Sequence, residues 1–470
     1  MFQVGAVTQV QRLMLAVVLL GLACGLRISA FHWNDQVQGD INLFALTARE
    51  FRATGELRYP IKYEFSDQVP YCEAKSLASQ HPPLFPFVGG LIARAADSDA
   101  TFPILKMLSE LGGALLLFAF VQLAVVAVRP GALFALALVA VSPVLVDFSA
   151  NGSPYVWSAL ALFLASEWLR DPARRGLGSF AAAGALAGLA PMLHGSLLAV
   201  PVALVVGGLL CRAHLSGAKV IVFLTSALVV VAPYAAWSYQ NFGSPFYSYS
   251  PLILWANLGL AEEGIWDGVV TWRWVPEGWT TAIPPLLAAL GSNGRGLPEV
   301  WLRDSGPVVL LLAIIGVVQA VRASPSSALR RSLPALFYLA LISPLLFRDR
   351  FAVPILPIIF LAAGAGFSRL DSLSGRSVGT RHGVGGGVVF LDGFRTLLGC
   401  RIVSLLRSGF FAAHELSSHA SDSPAFPKPS ARTYSGLQPQ SRRRHRGRLS
   451  SWSSLDPRTS KRQSIQGTLR

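Results

Sequence analysis

Residues 105–148 read LKMLSELGGALLLFAFVQLAVVAVRPGALFALALVAVSPVLVDF, and this stretch decides the fold. It contains two apolar runs, 105–128 and 131–148, separated by Arg129 and Pro130. A helix needs about 20 mostly apolar residues to cross the hydrocarbon core of a bilayer. The stretch therefore predicts two consecutive membrane-spanning helices with a basic turn between them.

The composition of the whole chain agrees with this prediction. Of its 470 residues, 52% are hydrophobic and 14% are charged, whereas about a quarter of the residues in a soluble globular chain are charged. The four cysteines have no metal-ligand spacing, so they suggest neither a disulfide framework nor a zinc site. We therefore expect an all-α, polytopic membrane protein.

Apolar runs of suitable length recur along the chain and predict about ten membrane-spanning helices. We interpret the first run as a retained helix because no convincing small-x-small cleavage site precedes the polar loop that follows it, and many more spans come after it. The predicted spans are residues 13–30, 105–128, 131–148, 154–169, 177–193, 196–211, 220–237, 307–321, 333–347 and 351–367.

Short basic loops indicate which side of the membrane each connection faces, because Lys and Arg are retained on the cytoplasmic side. If the N-terminus is cytoplasmic and residues 81–99 do not cross, then Arg129, residues 170–175, 212–219 and 322–331 all lie inside. Residues 348–350, Arg-Asp-Arg, are the exception, since they fall outside.

Two long loops then share the outer face of a plasma (inner) membrane. Residues 31–99 form a large first outer loop with surface helices, where we expect catalysis, and residues 238–305 form a second outer loop. The second loop is rich in Trp, which favours the membrane interface. Stacking of these rings on sugars is the weaker interpretation.

The last hundred residues differ in character from the domain at 1–370. Residues 371–470 hold 16 Lys and Arg against 5 Asp and Glu, in a Ser-, Pro- and Gln-rich background. Such a segment cannot bury enough apolar surface to fold alone. It is interpreted either as a basic, disordered tail or as translation of a wrong reading frame, and we assign it no function.

Asp40 begins a run in which apolar residues recur at helical spacing up to Thr54-Gly55. This pattern predicts an amphipathic surface helix with Asp40 at its start. The carboxylate could cap the helix or serve as a general base, and the two roles are compatible.

Other polar residues are weaker candidates. Glu73 lies in the first outer loop, and Pro82-Pro83 holds His81 extended before a short apolar helix. His81 could anchor the loop, carry a proton or bind a metal, and the anchor is favoured. His194 is interpreted as a packing residue. Arg350 could snorkel to lipid headgroups or clamp a phosphate. It lies on the outer side of the membrane, where arginine is disfavoured in short loops, and this position supports phosphate binding.

Five separated motifs, spread over residues 10–370, resemble the GT-C superfamily, especially its protein O-mannosyltransferase and aminoarabinose transferase branch. They are QHPPLFP at 80–86, VSP at 141–143 with the polar break NG at 151–152, the Gly- and Ala-rich run 184–192, APYAAWSYQNFGSP at 232–245 and RFAVPILP at 350–357.

The resemblance implies a glycosyltransferase that moves a sugar from a polyprenyl-phosphate donor in the membrane lipid to an acceptor of unknown class. It implies that Asp40 is the catalytic base and that Arg350 and Arg348 hold the donor phosphate, with Lys62, Glu73 and His81 as further substrate-binding candidates. The chain has Asp40-Ile41 where Asp-Glu is common, and the loop has no Asp-x-Asp. We therefore predict no obligatory metal. We also predict no cofactor and no nucleic-acid partner.

Two alternatives remain open at this point. The first is an inactive membrane scaffold with the same architecture. The second is a lipid or sugar transporter, which would place ionisable residues inside its spans. Glu110 and Glu167 are the main such residues, and both lie near predicted span ends.

Overall fold

The computed structural model describes residues 8–33, 40–57, 82–129, 131–211, 216–242, 245, 287–288, 291, 299–342 and 349–378, all of which lie in the compact unit Met1–Gly387. The ordered elements in these ranges are helices, which confirms the all-α prediction. The helices are α1 Gln9–Trp33, α2 Asp40–Thr54, α3 Leu84–Ala95, α4 Thr101–Val121, α5 Ala132–Val141, α6 Pro143–Ala150, α7 Tyr155–Trp168, α8 Leu177–Leu193, α9 Ala199–Leu209, α10 Gly217–Phe242, α11 Glu299–Ser305, α12 Pro307–Ala323, α13 Pro325–Ile342 and α14 Leu356–Val378. A helical turn, Asp349–Ala352, and a 3-10 turn, Val353–Ile355, lead into α14.

Each of the ten predicted spans contains residues that are helical in the structure. The polytopic membrane architecture is therefore confirmed. Among the described residues, four helices are long and apolar enough to cross a membrane alone: Gln9–Trp33, Thr101–Val126, Gly217–Asn241 and Arg350–Leu370. Two bent pairs, α5 with α6 and α11 with α12, raise this number to six. The other predicted spans are shorter helices.

The predicted span 131–148 is not one straight helix, because α5 and α6 meet at an angle of 57°. Pro143 begins α6 and has no N–H to continue the hydrogen bonds of α5. Arg27, which is buried on α1, donates to the freed end of α5. Its Nη1 and Nη2 lie 3.3 Å from the carbonyl oxygens of Ala140 and Val139. A buried cation therefore satisfies the broken helix end.

The centre of the bundle is α7, whose side chains are buried around nearly its whole circumference. One face of α7 contributes to a core with α1, α4, α5, α12 and α14. Its other face contributes to a second core with α8, α9 and α13. Both clusters consist almost entirely of aliphatic and aromatic residues, so the position of α7 is set by contacts from all sides.

Small residues allow close crossings elsewhere in the bundle. At the α12–α14 contact, a Cβ atom added to Gly316 would collide with the carbonyl oxygen of Ala362, and one added to Gly366 would collide with that of Leu312. The two backbones therefore touch directly, and this contact holds the middle of α14 against α12.

One end of the bundle carries a group of arginines around a glutamate. We call it the basic end, and we define it by Arg129, Glu167, Arg170 and Arg331. The Glu167 carboxylate forms ion pairs with both Arg129 and Arg331. The sequence predicts that these three arginines share one side of the membrane, and the ion pairs join the segments that carry them.

Candidate functional site

The opposite end of the bundle, which we call the α2–α3 end, carries the predicted site residues that the structure describes. It comprises α2, α3 and the start of α7. Asp40 is the first residue of α2, as predicted, although the described side chains of this helix begin at Ile41. Arg350 lies in the turn that precedes α14 and is half-buried. Lys62, Glu73, His81 and Arg348 lie outside the described residues.

Helix α2 lies against α3 through the apolar face that its sequence spacing predicts. The rings of Phe44 and Phe85 meet edge to face at 5.9 Å between centroids, and those of Phe51 and Phe87 at 4.9 Å. With only 12 residues, α3 is about 18 Å long, which is too short to cross the roughly 30 Å hydrocarbon core. The structure thus agrees with a pair of surface helices, and α3 fixes the direction in which α2 starts.

The polar break at Asn151 and Gly152, just before α7, is held in place by hydrogen bonds. Asn151 is buried, and its Oδ1 accepts a hydrogen bond from the backbone N–H of Ser153 at 3.1 Å. Gly152 between them has a φ of 82°, which an L side chain rarely adopts. Ser109 Oγ donates to the Ser153 carbonyl oxygen at 2.8 Å, and Trp157 Nε1 donates to a carbonyl oxygen of α4 at 2.8 Å. The start of α7 is therefore held on α4.

His194 gains partners that the sequence does not reveal. It follows α8 and is buried, with its Nδ1 2.6 Å from Ser196 Oγ. Its ring lies 5.4 Å from that of Tyr155 and 6.0 Å from that of Phe351, measured between centroids. The guanidinium carbon of Arg350 lies 5.2 Å from the Phe351 ring centroid. Arg350 is thus placed beside a cluster formed by the buried His194 and Tyr155 and the half-buried Phe351.

Two further polar residues at this end were missed by the sequence analysis. Lys106 is buried on α4, and its Nζ donates to the carbonyl oxygen of Phe31 in the last turn of α1, while also lying 4.4 Å from the centroid of the Phe31 ring. A cation is stabilised at a helix C-terminus. Asp147 is an exposed carboxylate on α6, one turn before Asn151. Its position after a Ser-Pro break was a signal that the sequence analysis did not use.

The arrangement offers two kinds of chemistry. The Arg350 guanidinium can bind phosphate oxygens in a bidentate way, and a carboxylate at the start of α2 or on α6 can accept a proton. Among the described residues, no group of three or more His, Cys, Asp or Glu side chains could hold a metal ion. The expectation of no obligatory metal stays a prediction, because Glu73 and His81 lie outside those residues.

Comparison with solved structures finds a similar helical arrangement in a crystal structure of the Archaeoglobus fulgidus oligosaccharyltransferase in complex with Zn and sulfate. The TM-score is 0.50 at 17% sequence identity, and the match covers 77% of this chain and 50% of that one. At this level of identity the match shows a likeness of fold alone. No family model and no curated protein matches the sequence.

The structural match is limited in two ways. The chain spans about half the length of the oligosaccharyltransferase that it matches. The match concerns the fold, and it does not distinguish the protein O-mannosyltransferase and aminoarabinose transferase branch from other branches. The GT-C resemblance seen in the sequence motifs is therefore supported at the level of the fold alone.

Proposed function

We propose that this chain is a membrane glycosyltransferase that moves a sugar from a polyprenyl-phosphate donor to an acceptor hydroxyl at the outer face of the membrane. The observation that carries the proposal is the position of Arg350. This guanidinium lies beside the cluster of His194, Tyr155 and Phe351, at the end of the bundle that also carries the start of α2.

In the proposed reaction, the Asp40 carboxylate accepts the proton of the acceptor hydroxyl. The hydroxyl oxygen then forms a bond to the anomeric carbon of the sugar, and the bond between that carbon and the donor phosphate oxygen breaks. The electron pair leaves with the polyprenyl phosphate, whose added negative charge is stabilised by Arg350. Arg348, Lys62, Glu73 and His81 are proposed to contact the substrates.

The contacts of two buried cations weaken the transporter alternative. Ionisable residues inside membrane spans are by default candidates for a transport pathway. Arg27 and Lys106 instead donate to backbone carbonyl oxygens at the ends of α5 and α1. These contacts give both cations a structural role. The scaffold alternative is decided by the activity assay.

The test is sugar transfer by membranes that contain the full chain, supplied with a panel of polyprenyl-phosphate sugars. We expect Asp40→Asn to lower the transfer rate by about 10²- to 10⁴-fold, as for loss of a general base. Arg350→Ala should lower it strongly and Arg350→Lys partly, since an ammonium group cannot reproduce a bidentate contact.

One ion pair at the same end provides matched controls. Asp97→Asn and Arg52→Ala make the same chemical changes in a pair with a separation of 3.6 Å, whose Asp97 side chain is fully exposed and whose Arg52 side chain is 21% exposed. Both variants should leave transfer near the wild-type rate. Transfer that survives Asp40→Asn but is lost in Asp147→Asn would move the base to α6. A wild-type chain that transfers no sugar from any donor would refute the proposal and favour the scaffold.

A further inference from the structure

The basic end contains a buried carboxylate surrounded by more positive charge than it neutralises. The Glu167 side chain is 11% exposed and pairs with Arg129 and with Arg331, whose Nη2 lies 2.9 Å from Oε1. Ser166 Oγ fixes the backbone of Arg331 by donating to its carbonyl oxygen at 2.6 Å. Glu167 therefore holds both guanidinium groups, and Ser166 in addition fixes the backbone of Arg331.

A third arginine lies within the electric field of this group. Burial lowers the pKa of the Arg170 guanidinium, and the positive charges of Arg129 and Arg331 lower it further, whereas Glu167 raises it. The neighbouring Asp171 is engaged by Arg174 at 3.1 Å. Three positive charges thus face the single Glu167 carboxylate, which leaves an excess of about two.

The arginines of this group also retain hydrogen-bonding capacity. The Nε atoms of Arg129 and Arg331 are shielded from solvent and have no hydrogen-bond partner. Leaving a buried donor unsatisfied costs about 1–3 kcal/mol. The side chains of Arg129 and Arg331 are nevertheless 18% and 29% exposed, so part of each can be reached from the surface.

Apolar side chains are also exposed beside the basic end. Val126 and Val128 precede Arg129 and are exposed, and Leu164, one turn before Glu167 on α7, is exposed as well. In a membrane these aliphatic side chains contact acyl chains. An anion that approaches the arginines from this side would therefore arrive on a lipid molecule.

We propose that the basic end binds the phosphate group of an anionic phospholipid, with Arg129, Arg170 and Arg331 facing the phosphate and Val126, Val128 and Leu164 facing the acyl chains. Juxtamembrane Lys and Arg residues attract anionic lipids by about 1 kcal/mol each. Guanidinium groups form strong charge-assisted hydrogen bonds to phosphate. This site lies at the other end of the bundle from Arg350 and does not depend on glycosyl transfer.

The experiment measures lipid binding to the full chain in detergent by native mass spectrometry and by thermal stabilisation. Phosphatidylglycerol, phosphatidylcholine and inorganic phosphate are titrated in separate arms. We expect saturable binding and stabilisation by phosphatidylglycerol, with little effect from the other two. Stabilisation by inorganic phosphate alone would overturn the lipid assignment, and equal effects of the two lipids would overturn the site.

Variants separate a specific site from general attraction to a basic surface. Arg170→Gln should weaken binding of phosphatidylglycerol about fivefold, whereas Arg322→Gln, an exposed arginine at the end of α12, should change it less than twofold. Glu167→Gln should strengthen binding because it removes the competing carboxylate. Equal losses in the two arginine variants would refute the proposal, as would weaker binding in a folded Glu167→Gln protein.

Discussion

Replacement of Glu167 by Gln tests whether one carboxylate holds the basic end together. The Glu167 side chain is 11% exposed and accepts contacts from Arg129 and Arg331, which belong to segments far apart in sequence. The amide has nearly the same shape but no charge. It leaves two arginines close to each other without the anion that compensates them, and we expect the protein to be destabilised.

The magnitude follows from the geometry of the two ion pairs. At a separation of about 4 Å and an effective dielectric constant of about 20, a unit charge pair contributes about 4 kcal/mol. Repulsion between the arginines offsets part of this energy, and their partial exposure of 18% and 29% allows solvent to screen more of it. Breaking a fully buried pair costs about 3–5 kcal/mol, so we expect a loss of roughly 2–4 kcal/mol.

The measurement is reversible unfolding of the full chain in mixed micelles by denaturant titration, followed by circular dichroism. Asp171→Asn is the matched control, because it makes the same change at the same end in a pair whose Asp171 and Arg174 side chains are 44% and 88% exposed. Its free energy of unfolding should change by less than about 1 kcal/mol.

A double-mutant cycle with Arg331→Gln isolates the pairwise contribution. We expect the double variant to be less destabilised than the sum of the two single variants, because Glu167→Gln also removes the partner of Arg331. A loss in Glu167→Gln no larger than that in Asp171→Asn would refute the reasoning. Strict additivity would show that the ion pair between Glu167 and Arg331 contributes nothing to stability.

Three further predictions concern packing, the α5–α6 bend and topology. Gly316→Ala should lower the free energy of unfolding by roughly 1–3 kcal/mol through overpacking, while Gly178→Ala, where an added Cβ meets nothing within 4 Å, should be neutral or slightly stabilising in a chemical-denaturation assay. Arg27→Met should cost about 2–4 kcal/mol in the same assay, because two carbonyls at the end of α5 lose their charged donor; an unchanged stability would contradict its role at the bend. In a cysteine-free background, Ala96→Cys should react with an impermeant maleimide from outside intact cells and Gly176→Cys only after permeabilisation; the reverse pattern would invert the proposed topology.

The positions of the helices could be predicted from sequence because length and apolar composition largely determine what a membrane span is. The same holds for the grouping of Arg129 and Arg331, since the positive-inside rule acts on each short loop separately. The bend at Ser142-Pro143 was within reach, because the proline is visible in the sequence. It was missed because a continuous apolar run was interpreted as one straight helix.

The candidate site was less predictable because it depends on long-range contacts. Asp40 could be assigned to a helix start from local spacing, and the structure agrees. No local pattern links His194 to Tyr155 and Phe351, which approach only after three separate helices pack together. The interpretation of His194 as a packing residue captured its burial but not its position next to Arg350.

Three of the charges inside the membrane part of this chain, Arg27, Lys106 and Glu167, have contacts at the ends of helices. Arg27 and Lys106 donate to carbonyl oxygens where α5 and α1 stop, and each such oxygen would otherwise lack a partner in a medium without water. Glu167, at the last turn of α7, compensates arginines that enter from neighbouring segments. These charges are explained by the architecture and need no transported substrate. Arg350 begins the candidate span Arg350–Leu370 and differs from these charges because it lies beside an aromatic and histidine cluster. It is therefore the charge on which we base the catalytic proposal.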